Sequence, residues 1–134
     1  MKRSNLVFLL SVGVLVFCAN AWAEDLDGSK PLVCDLVKAA QCDGVAKCTE
    51  VAVGQIDLPA VVHVDFAGSK LTTPDDPRTS PIKAVEALDA VLVLQGHQNG
   101  RGWTMVIERA TGHLSATLAD AEGAFVLAGA CTAQ

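Results

Sequence analysis

Ala90-Val91-Leu92-Val93-Leu94-Gln95-Gly96-His97-Gln98-Asn99-Gly100-Arg101-Gly102-Trp103-Thr104-Met105-Val106-Ile107-Glu108-Arg109 is the stretch that decides the fold class. Trp103, Met105 and Ile107 alternate with Thr104, Val106 and Glu108, the period of two that sends successive side chains to opposite faces of a strand. Residues 90–95 form a second apolar run, and Asn99-Gly100 between the two has the chemistry of a tight hairpin turn, since both residues accept positive φ. The pattern continues toward the C-terminus. Residues 113–118 set Leu114, Ala116 and Leu118 against His113, Ser115 and Thr117, and residues 124–131 are apolar throughout, with Thr111-Gly112 and Glu122-Gly123 as the intervening turns. A four-stranded antiparallel meander is expected, with residues 90–95 and 124–131 either covered on both faces or at the centre of a sheet.

Upstream, Val62, Val64 and Phe66 alternate with His63 and Asp65, and residues 32–37, 47–53 and 70–72 read as further strands, about eight in all. Lys38-Ala39-Ala40 gives residues 35–41 an alternative as a helical turn. Residues 74–81 hold three prolines and read as a loop outside any ladder, while residues 82–88 read as helix or strand, with the balance toward strand. Short strands at near-even spacing in one small unit indicate an antiparallel barrel or sandwich; a barrel leaves no open edge.

The first 23 residues read as an export signal: Met1-Lys2-Arg3, an apolar run from Leu6 to Cys18, then Ala21-Trp22-Ala23 before the cut. That run of about 13 residues is too short for a membrane helix, so no membrane insertion is expected after cleavage, and the setting is periplasmic or secreted. Residues 24–134 then form a single domain. They hold all 15 acidic residues but only eight basic ones, a net charge of −7. Such a surface repels phosphate backbones and excludes nucleic acid, leaving a cationic protein or a small apolar ligand as the partners to consider. No cofactor is expected.

Cys34, Cys42, Cys48 and Cys131 are even in number, lack a C-x-x-C pair and follow an export signal, which indicates two disulfides. Of three pairings, Cys42 with Cys48 across the Asp43-Gly44 turn and Cys34 with Cys131 between first and last strands are favoured. The aromatic inventory beyond residue 23 is Phe66, Trp103 and Phe125, so the core must be aliphatic and no stacking platform can be assembled.

Leu94-Gln95-Gly96, Gly100-Arg101-Gly102-Trp103, Thr111-Gly112 and Gly129-Ala130-Cys131-Thr132 resemble a pattern recurring in small exported proteobacterial proteins of uncharacterised function, over about the last 40 residues. The resemblance implies a bacterial periplasmic setting and no catalytic residue. A more distant likeness, in architecture alone, is to periplasmic lysozyme inhibitors, which are small disulfide-clasped barrels; fold does not carry function.

Chemistry-bearing constellations are sparse. His97, Asn99 and Arg101 in the hairpin loop form the best candidate binding surface, and His63 with Asp65 supply two potential metal ligands where a site needs three or four. Ser29, Ser69, Ser80 and Ser115 lie in no nucleophile elbow, and Asp75-Asp76 sits in a solvated proline-rich loop. An exported binding or interaction module, such as an inhibitor of a cationic protein, is therefore favoured over a small hydrolase or metal-binding protein working near His97.

Overall fold

The computed structural model describes residues 24–134, so the export signal read at 1–23 lies outside the described residues. Nine strands follow in order: β1 (Leu32–Asp43), β2 (Lys47–Val51), β3 (Val61–Asp65), β4 (Lys70–Thr72), β5 (Thr79–Ala87), β6 (Val91–Gln98), β7 (Arg101–Glu108), β8 (His113–Ala119) and β9 (Gly123–Ala133). Eight of them close into an antiparallel barrel in which β1 pairs with β9, and β2 is an additional strand laid along the C-terminal half of β1. The closing seam is the longest pairing of all. It runs from Leu32 opposite Ala133 to Asp43 opposite Gly123, and Cys34 faces Cys131 within it. Those two cysteines are bonded, as are Cys42 and Cys48 across the β1–β2 hairpin.

The helical alternative at residues 35–41 does not occur. Both edges of β1 are occupied, by β9 along its length and by β3 then β2 on the other side, and these ladders outweigh a helix preference of a few tenths of a kcal/mol per residue. A bulge between Leu36 and Lys38 bends the strand instead. The strand read at 47–53 stops at Val51 and gives way to a 3-10 turn, Val53–Ile56. The proline-rich loop is shorter than expected, because β5 begins at Thr79 and carries Pro81 opposite Lys70. Proline is tolerated there because β4 supplies only three partners and the β5–β6 register shifts just beyond, between Ile82 and Ala84.

Residues 90–95 and 124–131 are not covered on both faces. Leu92, Leu94 and Leu127 point into the barrel and are buried, whereas Val93 is half-buried outside and Val126 is 43% exposed. A closed single sheet has one interior, and no second layer covers its outer face.

Inside, the two ends differ. Leu32, Cys34, Val64, Leu92, Leu94, Ile107 and Leu114 are the largest fully buried side chains, and strand direction and register gather them toward one end, the base. The N-terminal segment closes that base: Leu26 is buried in the core, and its amide donates to the Arg109 carbonyl at 3.1 Å. The Arg109 guanidinium in turn holds Asp25 through Nη2 at 2.6 Å and the Leu88 carbonyl through Nη1 at 2.8 Å, tying the segment to the β5–β6 turn.

Candidate functional site

At the opposite end the inward side chains do not meet. Leu36, Val62, Leu71, Met105, Ala116, Leu118 and Leu127 line an open cavity of about 570 Å³ whose wall is mainly apolar. Part of the reason is composition. Ala116 stands between Met105 and Leu127 in register, where a larger side chain would be needed to span the lumen. Trp103, the largest ring among the described residues, is held against the wall. It lies on Gly96, its register partner, where any Cβ would overlap the indole and come within 2.5 Å of the Pro81 carbonyl oxygen. Its Nε1 donates to Ser80 Oγ at 2.9 Å, which fixes the ring's orientation. Trp103 is thus buried, as its alternation in β7 indicates, but one side of its site is the cavity.

The rim is polar and carries both signs of charge. Asn99 (φ 51°) and Gly100 (φ 78°) make the two-residue turn between β6 and β7, the type whose twist matches the strands it joins. Arg101, the first residue after the turn, reaches Asp120 Oδ2 through Nε at 3.4 Å, with its guanidinium carbon 5.7 Å from the centre of the Phe125 ring. Asp120 is held in turn by the amides of Glu122 (2.9 Å) and Gly123 (3.0 Å), and these bonds, with the lesser help of Arg101, lower its pKa. Across the mouth, Arg78 donates to Asp76 from Nε (2.8 Å) and pairs with it through Nη2 (2.7 Å), while Nη1 donates to the Asp57 carbonyl at 2.9 Å. Gln98 ties β6 to β5 through the Thr79 carbonyl at 2.6 Å.

The candidate loop residues are therefore divided. Asn99 and Arg101 line the cavity mouth, but His97 does not: it pairs with Gly102 and lies on the outer face, opposite to the one shared by Gln98, Arg101 and Trp103. His63 and Asp65 share the outer face of β3, where Asp65 Oδ1 accepts the Gly68 amide at 2.8 Å. Among the described residues no group of three or more His, Cys, Asp or Glu could hold a metal. Ser80 Oγ is engaged by the Trp103 indole rather than by a base. The loops at 75–78 and 97–101, both candidate binding surfaces by exposure and charge, each bring an arginine to this mouth, whereas the part of Ser80 has no signal in the sequence because β5 carries it there from more than 20 positions away.

Acid should loosen this rim. The Arg78 side chain, and then its backbone amide, hold the Asp76 carboxyl down at about 2 against an ordinary 3.8. Because the folded value is the lower one, Asp76 stabilises the fold above its ordinary value, and that contribution disappears as pH falls through about 2. In thermal melts, the gap between wild type and Asp76→Asn should be constant above pH about 4 and close toward pH about 2. A gap unchanged across that window would show that Asp76 acts through something other than its charge.

No family model, curated protein or solved structure matches this chain.

Proposed function

We propose that this protein is an exported binding protein that takes a small, largely apolar molecule into the open end of its barrel. The observation that carries the reading is the unequal filling of the lumen. One end is packed to exclusion of solvent, while the other leaves about 570 Å³ lined by Met105, Leu118, Leu71 and their neighbours. Small-molecule sites occupy roughly 300–1,000 Å³, are predominantly apolar and place a few polar groups at fixed positions, as Ser80, Asn99 and Arg101 do here. An apolar molecule seated in this open mouth removes the apolar lining from water, and that burial favours binding. The two disulfides support an oxidising compartment, in keeping with export to the periplasm or beyond.

The acidic surface supports a second reading, in which a net charge of −7 recruits a cationic protein. Salt separates the two: recruitment by charge fades as ionic strength rises, whereas burial in an apolar lumen does not. An enzymatic reading has no comparable support, since neither His97 nor Ser80 is set beside a partner that would make it a base or a nucleophile.

The test is direct titration with an environment-sensitive apolar dye, followed by displacement with candidate ligands and by Trp103 emission. Trp103 is the only tryptophan beyond residue 23 and lines the cavity, so an occupant should alter its signal. Ala116→Phe, which places a ring in the lumen, should leave the protein folded and cut affinity at least tenfold, about 1.4 kcal/mol. Binding at wild-type strength in a folded Ala116→Phe variant would place the ligand elsewhere and end the lumen proposal.

A further inference from the structure

We infer that the molecule taken into the lumen is amphipathic, with an apolar body and a carboxylate or similar planar anionic head bound at the rim by the guanidinium of Arg101. This rests on the lumen reading above and adds the chemical class of the ligand. The two rim arginines differ in how far their donors are already engaged. Arg78 uses Nε, Nη1 and Nη2 on Asp76 and Asp57, so its fork serves its own loops. Arg101 does not. Its one hydrogen-bonding partner among the described residues is Asp120, approached by Nε at 3.4 Å, which leaves both terminal amino groups without a protein acceptor. Asp120 accepts the two amides of its turn on Oδ1 and meets only Arg101 Nε with Oδ2.

Arg101 also has two neighbours that position it: Asp120 lies against its Nε, and its guanidinium carbon sits over the Phe125 ring at 5.7 Å from the centre. A guanidinium fixed in this way presents a fork that matches two carboxylate oxygens, and it loses little freedom on binding them. Ser80 adds a second donor deeper in the mouth. Its Oγ accepts from the Trp103 indole, and its own proton has no acceptor among the described residues. Apolar wall, hydroxyl and free fork thus follow one another from lumen to rim, along the inward face that Met105, Trp103 and Arg101 share.

The overall charge of −7 opposes an anion, but charges beyond about 8 Å are screened at physiological salt, whereas the Arg101 contact is made at hydrogen-bond distance. A hydrogen bond to a charged group is worth about tenfold or more in affinity, enough to decide between an anionic and a neutral head on the same body.

The experiment compares dodecanoate with dodecanol below their aggregation limits, read by dye displacement and Trp103 emission, in wild type, Arg101→Gln and Lys83→Gln. Lys83 is exposed on β5 away from the cavity and controls for the loss of one positive charge. The expected result is a preference for dodecanoate of about tenfold or more in wild type and in Lys83→Gln, collapsing to near parity in Arg101→Gln. Equal binding of the two probes by wild type, or a preference that survives Arg101→Gln, overturns the head-group inference and leaves the apolar lumen standing. An equal weakening of both probes by Arg101→Gln also overturns it, showing that Arg101 only shapes the mouth. Failure of both probes and of the dye to bind removes the lumen reading itself, and this inference with it.

Discussion

Replacing Cys34 and Cys131 together by serine should lower the unfolding free energy by about 4–5 kcal/mol, twice the loss from the same change at Cys42 and Cys48. In the chain-entropy model, a bridge between residues 97 positions apart removes about 4.7 kcal/mol of unfolded-state freedom. A bridge across a separation of 6 removes only about 2.4 kcal/mol. Position adds to the difference. Cys34 and Cys131 are 0% and 2% exposed at the seam that closes the barrel, so the serine hydroxyls would be left in an apolar interior, whereas Cys48 is exposed at the β1–β2 hairpin. Against a typical total of 5–15 kcal/mol, the seam bridge supplies roughly a third or more of the stability. Urea titration of both double variants checks this through their midpoints and slopes. Equal losses would mean that residual structure in the unfolded chain already keeps its two ends close, making the covalent link redundant.

Much of the barrel could be read in advance where period and turn chemistry agreed. In β7 and β8 every second residue is apolar, each strand ends in a glycine-containing turn, and the pairing follows from sequential antiparallel neighbours. The reading failed where neighbours outside the local window decided the outcome. Lys38-Ala39-Ala40 has helix propensity, but no local signal shows that both edges of β1 are filled by strands distant in the chain. Residues 124–131 are apolar throughout, yet burial on one face alone follows from closure of the sheet, which alternation cannot reveal. The site was half legible for the same reason. Asn99 and Arg101 stood out by turn chemistry and charge, but the separation of His97 from Arg101 depends on strand parity across a two-residue turn. The contribution of Ser80 depends on where β5 begins, and Pro77 and Pro81 obscured that start.

The hollow end also predicts a contrast between two truncations on one strand face. Ile107 and Met105 are two residues apart in β7, both inward and both at most 5% exposed. Ile107 sits directly between Leu92 and Leu114, all three fully buried, so Ile107→Ala opens a sealed void at the packed base. Loss of transfer energy plus a residual-cavity term of about 24 cal/mol per Å³ places its cost near 4 kcal/mol. Met105 sits between Leu94 and Ala116 and borders the cavity, so Met105→Ala enlarges a space already open to solvent and adds little cavity cost. Its loss should stay near 2 kcal/mol, at the bottom of the range for such truncations. Burial alone would rank the two residues as equals; packing around them does not. Chemical denaturation of both variants decides it. Matching losses of about 4 kcal/mol would show that the mouth is packed as densely as the base, and the lumen would then have no room for a ligand.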